Sequence, residues 1–151
     1  MNILFVCTGN TCRSPMAAYI MDKIAVENDL DVLIESAGIF AEPEQKASEN
    51  AVLAMRDMGI DISEHRTQPV TEELLKKAEL ILTMTEGQKM MIAQYAKDKV
   101  YTLLEYSGSK GDISDPYGGD LEEYKETAQE IYDALVDVAE KLPVKEKHDN
   151  D

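Results

Sequence analysis

The opening of the chain constrains it most. An apolar run of strand length, Ile3-Leu4-Phe5-Val6, enters a short loop that closes onto Ser14-Pro15 and an amphipathic stretch. A continuous apolar run of this length fits a strand buried on both faces. Ser14-Pro15 reads as an N-cap followed by proline at the first helical position. Met16, Ala17, Ile20, Met21 and Ile24 then recur at helical spacing to about Val26.

The alternation continues along the chain. Val32-Leu33-Ile34 predicts a second strand, followed by Ser36-Ala37-Gly38. A helix is expected from Ala47 to Met58, with Gly59 as its C-cap. A short helix opens at Thr71, and Leu80 to Met84 forms a third strand. Glu86 to Tyr95 is a further helix and Val100 to Leu103 a fourth strand. A Gly-, Ser- and Asp-rich loop from Ser107 to Gly119 leads to a last helix from Leu121 to Lys141. Such alternation predicts an α/β domain of three layers, a parallel sheet with helices on both faces. Ligands in such folds bind beyond the carboxyl ends of the strands. The 151 residues suit one domain, 1–142, with a flexible tail over 143–151.

The loop after the first strand is Cys7-Thr8-Gly9-Asn10-Thr11-Cys12-Arg13-Ser14. Backbone amides of a tight turn that runs into a helix N-terminus form a concave anion site. Gly9 is expected to supply a backbone angle that a Cβ would resist. Arg13 offers a planar fork to two phosphate oxygens. The same cradle is expected to lower the pKa of Cys7 and hold it as a thiolate, seated for in-line attack on a phosphoryl group. Ser14 is placed to orient that thiolate or to stabilise it as a leaving group. A lone cysteine would read as a buried apolar residue. Strand, Cys-x5-Arg-Ser, proline and amphipathic helix in this order favour chemistry.

Net charge is −15, with 30 acidic and 15 basic residues, which argues against nucleic acid and against an anionic membrane surface. The positive field for phosphate must therefore be local. Only Cys7 and Cys12 are present, too few for a secreted disulfide scaffold, and no zinc-ligand spacing occurs. With no signal-peptide pattern, a cytoplasmic, monomeric protein that needs no cofactor or metal is expected.

The segment Val6 to Pro15 resembles the signature of the low-molecular-weight protein tyrosine phosphatases. The resemblance extends through Glu35-Ser36-Ala37-Gly38-Ile39, Ile81-Leu82-Thr83-Met84 and Asp115-Pro116-Tyr117, reaching about Leu142. It implies a four-stranded parallel sheet with flanking helices. It also implies Asp115 as general acid, with Pro116 stiffening the loop. Expulsion of the leaving group needs a proton that neither a thiolate nor an arginine supplies. A turn aspartate before proline is common, however, and Asp112 is a nearby rival with no proline after it.

Two departures bear on the substrate. Thr11 stands where tyrosine-specific members of the family usually carry an aliphatic residue. Gly118-Gly119 follows Tyr117 where they carry a second aromatic. Both resemble the bacterial protein arginine phosphatase branch, implying phosphoarginine proteins as substrates and a stress-response setting. Thr8, Gly9, Asn10, Thr11, Cys12 and Ser14 then contact the substrate, and Phe40 and Tyr117 line the entrance or simply pack. The resemblance further implies a hydrogen-bond network of Asn10, Ser14, Ser36 and His65 that props the loop open. A histidine in the polar stretch Ser63-Glu64-His65-Arg66 is otherwise expected to be solvated. Cys12 is a redox partner for Cys7 or merely a small residue beside the site. The rivals are a phosphotyrosine enzyme, a thioredoxin-coupled reductase, which needs further cysteines, and a phosphoprotein-binding module, which needs a damaged loop or acid.

Overall fold

The computed structural model describes residues 1–146. Four parallel strands, β1 (Asn2–Cys7), β2 (Leu33–Gly38), β3 (Leu80–Thr83) and β4 (Val100–Thr102), lie in the order β2-β1-β3-β4. The helices are α1 (Arg13–Glu27), α2 (Glu49–Asp57), α3 (Glu72–Lys77), α4 (Glu86–Ala93), α5 (Leu103–Tyr106) and α6 (Leu121–Ala139). β1 explains why its sequence shows no alternation. Ile3 and Phe5 pack with Met16, Ile20 and Ile131 of α1 and α6 on one face. Leu4 and Val6 pack with Leu75, Ala78 and Ile92 on the other. Both faces are dry, and a large apolar side chain buried there contributes about 1.5–3 kcal/mol.

The strand order places the functional loop. The chain leaves β1 for β2 on one side, then returns across it to β3 on the other. The direction of winding reverses at β1, so a crevice opens beyond the carboxyl ends of β1 and β3. Register brings Cys7 beside Gly38, and Val6 beside Thr83.

The helix caps mostly follow the sequence. Ser48, Thr71, Thr85, Thr102 and Asp120 each accept a backbone N–H in the first turn of α2 to α6. Gly59 follows α2 at φ 78, a left-handed value that glycine adopts without strain. Four features differ from expectation. Helix α1 begins at Arg13, with Cys12 as an N-cap that makes no side-chain hydrogen bond. Ser14 is not the cap, because its hydroxyl is engaged by Cys7 and Asn10. Strand β2 starts at Leu33 and runs on to Gly38, hydrogen-bonded along β1. Leu103 does not end β4 but opens α5, where Thr102 and Glu105 form a reciprocal capping box. Finally, the chain does not fray at Pro143: Pro143 O accepts from Asp31 N at 2.7 Å, and Lys145 N donates to Asp29 O at 2.9 Å. The rest of the expected tail, 147–151, lies outside the described residues. Among the described residues no helix is long and apolar enough to cross a membrane.

Candidate active site

The loop from Cys7 to Ser14 is shaped by Asn10. Its backbone has φ 59, the left-handed region that asparagine tolerates better than most residues. Gly9, expected to take that role, does not: a Cβ there would meet Thr11 Oγ1 at an ordinary 3.6 Å. The Asn10 side chain is fully buried and fully used. Its Nδ2 donates to Ser14 Oγ at 2.8 Å and to Ser36 Oγ at 3.0 Å. Its Oδ1 accepts from Gln68 N at 3.0 Å. Its backbone carbonyl meets His65 Nε2 at 2.9 Å.

Asn10, Ser14, Ser36 and His65 therefore come together, though their partners span three separate segments. His65 is not solvated; it is 7% exposed and sits edge-on to Tyr19. Burial pushes its pKa below the ordinary histidine value, opposed by the Asn10 carbonyl and assisted by Arg66. A neutral ring facing a carbonyl must carry its proton on Nε2, so His65 donates.

Two contributors beside Asn10 escaped the sequence reading. Gln68 bonds Asn10 through its backbone N–H and Ser36 O through its side chain at 3.0 Å. It lies in a polar stretch with no local signal. Gly38 is the glycine that this site requires for space. A Cβ there would lie 2.7 Å from Thr8 O and 2.9 Å from Asn10 N, so β2 could not run beside the loop.

Cys7 Sγ lies 2.8 Å from Ser14 Oγ and accepts from Asn10 N at 3.2 Å. Even so, the thiol is not held below its ordinary value. Burial pushes it up, opposed by the Ser14 hydroxyl, the Ser14 and Asn10 amides and the Arg13 charge. The sequence gives no measure of desolvation, and the thiol is 3% exposed. Removing the Ser14 hydroxyl removes one of the opposing contributions. Ser14→Ala is therefore expected to move the midpoint of Cys7 alkylation by iodoacetamide to higher pH. An unmoved midpoint would free the thiol from Ser14.

Arg13 is buried at the start of α1 and reaches across the crevice. Its Nη1 donates to Ile113 O at 3.0 Å, and its Nη2 lies 3.5 Å from Asp115 Oδ2. Ile113 N in turn donates to Met84 O at 2.9 Å, which ties the Asp115 loop to the end of β3. Asp115 Oδ1 accepts from Tyr117 N at 3.1 Å, closing a turn across Pro116. The rival Asp112 is occupied elsewhere, accepting from Glu86 N at 2.8 Å at the start of α4.

These groups surround a cavity of about 270 Å³ lined by Cys7, Thr8, Gly9, Thr11, Cys12, Arg13, Asp115 and Tyr117. Phe40 is not part of it. Its ring is 69% exposed outside the cavity, while its backbone N–H bonds Thr8 O at 2.9 Å. Both thiols are free. Cys12 Sγ contacts Ser48 Oγ at 3.4 Å and Tyr124 Oη at 3.5 Å. Burial, with Cys12 alongside, pushes the Tyr124 phenol up to about 12, so it stays protonated.

A cysteine seated in a strand-to-helix anion cradle, facing an arginine and a carboxylate, is the arrangement of a cysteine-dependent phosphatase. The family described as low molecular weight phosphotyrosine protein phosphatase matches residues 2–148, and the chain belongs to it. A protein-arginine-phosphatase of Bacillus subtilis (strain 168) is 47% identical over 146 residues, covering 94% of this chain and 97% of that protein. The low molecular weight protein-tyrosine-phosphatase Ptp of Acinetobacter johnsonii is 40% identical over 139 residues, covering 90% and 94%. Among solved structures, a YwlE arginine phosphatase, as a C7S mutant with a phosphorylated active-site serine, matches with a TM-score of 0.90. It is 46% identical, covering 93% of this chain and 95% of that one.

Proposed function

We propose that this chain is a protein-arginine phosphatase that hydrolyses phosphoarginine in proteins through a cysteinyl-phosphate intermediate. The observation that carries the substrate choice is Thr11, which lines the cavity beside Cys7 and Asp115. A hydroxyl-bearing wall suits a polar guanidinium better than an aromatic ring, and among the described residues Tyr117 is the one aromatic lining the cavity. The similarity to arginine phosphatases supports the same choice.

In the first step the Cys7 thiol loses its proton to solvent; the thiolate, supported by the Ser14 hydroxyl, the loop amides and Arg13, attacks phosphorus, the P–N bond breaks, and the Asp115 carboxyl gives its proton to the departing guanidine nitrogen. The loop amides and Arg13 hold the phosphoryl oxygens. In the second step water attacks phosphorus, Asp115 takes its proton, and the P–S bond breaks. Ser14, 2.8 Å from the sulfur, stabilises the leaving thiolate. Asn10, Ser36 and His65 keep the amides aimed at the phosphoryl group. Two unpaired thiols in one site suit a reducing, cytoplasmic setting. There Cys12 serves as a partner that traps oxidised Cys7 as a reversible disulfide.

The second reading, a phosphotyrosine enzyme, draws on Tyr117 and on relatives such as the Acinetobacter protein. Turnover of a phosphoarginine protein and a phosphotyrosine peptide, measured side by side, separates the two. Thr11→Ile restores an aliphatic wall and is expected to shift the ratio of kcat/KM values toward phosphotyrosine by about tenfold or more. A variant that loses all activity and gains none on phosphotyrosine would remove Thr11 from this role.

A further inference from the structure

Beside the catalytic cavity runs an open groove of about 540 Å³ between α4 and the Asp115 loop. Thr8, Arg13 and Asp115 line both spaces, so the two are continuous. Met91, 40% exposed, gives the groove an apolar wall. Its floor holds Gln88, which is 5% exposed.

The Gln88 side chain spans two elements. Its Oε1 accepts from Met84 N at 3.0 Å and Thr85 N at 3.1 Å, closing the capping box of α4. Its Nε2 donates to Thr8 Oγ1 at 3.1 Å. The cap needs only the oxygen. The amide nitrogen is spent on the phosphate loop, 80 residues away in sequence. A hydroxyl that accepts from an amide keeps its own proton for another partner. Among the described residues no protein acceptor takes that proton, and Thr8 is exposed at the junction of cavity and groove.

Resting on the phosphatase chemistry above, we propose that this groove receives the extended main chain of the protein substrate next to its phosphorylated residue. Thr8 Oγ1–H, oriented by Gln88, donates to a main-chain carbonyl there. The phosphoryl group enters the cavity, and the polypeptide that carries it must leave across the rim. The groove is the continuation of that rim, and Thr8 is the polar group at the turning point. Thr8 is thus a substrate contact and Gln88 a positioning residue.

Gln88→Glu tests this without breaking the cap. The carboxylate still accepts from Met84 N and Thr85 N, and those donors favour its ionised form. It has no proton for Thr8 and instead accepts the Thr8 hydroxyl, turning it away from the groove. The readout is the kcat/KM for a phosphorylated peptide divided by that for 4-nitrophenyl phosphate, which has no main chain. The ratio is expected to fall about tenfold in Gln88→Glu, chiefly through KM for the peptide. It falls similarly in Thr8→Val, and Gln88→Glu adds no further fall in that background. A ratio within about twofold of the original protein in either variant overturns the proposal. So does an equal fall on adding Gln88→Glu to both Thr8 backgrounds, which would reflect the added charge alone. If the unaltered protein hydrolyses neither substrate, the phosphatase reading itself fails, a result distinct from both.

Discussion

Cys7→Ser is expected to lower phosphate release from every substrate by roughly four orders of magnitude or more, with little change in thermal stability. The serine hydroxyl is nearly isosteric with the thiol and keeps a partner at Ser14 Oγ, which lies 2.8 Å from the sulfur. The fold should therefore persist, and circular dichroism melting checks that. What disappears is an ionisable, polarizable nucleophile. Burial already opposes ionisation of the thiol, and the Ser14 hydroxyl, Asn10 amide and Arg13 charge work against it. An alkoxide in the same place has no comparable means of forming at neutral pH. The measurement is steady-state release from an aryl phosphate and a phosphoarginine protein. Intact mass of the unaltered enzyme, acid-quenched during turnover, should show one added phosphoryl group that the variant does not form at a comparable rate. Release within about tenfold of the original enzyme in Cys7→Ser would remove sulfur from the mechanism.

Asp115→Asn is the second large effect, about 10²- to 10³-fold in kcat on phosphoarginine. The amide keeps the size of the carboxyl and can still accept from Tyr117 N, so the turn across Pro116 survives. It cannot give a proton to the departing nitrogen. The loss should grow with the basicity of the leaving group: modest for 4-nitrophenolate, which leaves unaided, and large for guanidine. Stability should change by well under 1 kcal/mol, because the Asp115 side chain is 57% exposed and its contact with Arg13 is long at 3.5 Å. Equal losses on both leaving groups would show that Asp115 positions Arg13 rather than moving a proton. In that case Asp112 would still not replace it, since that carboxylate is bonded at the start of α4.

The site was legible in the sequence to the extent that it is local. Cys7, Arg13 and Ser14 sit within one strand–loop–helix unit, and their spacing alone brings them together at one loop. Asp115 was singled out only through the resemblance carried by Asp115-Pro116-Tyr117, and the structure brings its carboxylate to 3.5 Å from Arg13. Asn10 and Ser14 were identified as props, but the division of labour was not. The left-handed position belongs to Asn10 rather than Gly9, because a carboxamide there also satisfies Ser14, Ser36 and Gln68. His65 was implied as a prop by the resemblance alone, while its polar stretch read as solvated. The approach of its segment to Asn10 O and to the Tyr19 ring buries it.

The sequence by itself determined the α/β order, the parallel sheet and the strand–loop–helix unit that carries Cys7 and Arg13. Hydrophobic period and the spacing of a short loop are written along the chain, and neither needs a partner from elsewhere. Tertiary structure alone decided that Gly38 must lack a side chain and that Gln68 and Gln88 brace the loop from opposite sides. It also decided that Ser14 turns to the sulfur instead of capping α1, and that burial raises the thiol that local charges would lower. Those outcomes depend on which segments pack together and on how much water they exclude. Close approach and desolvation arise between segments distant in the chain, so no window of adjacent residues contains them.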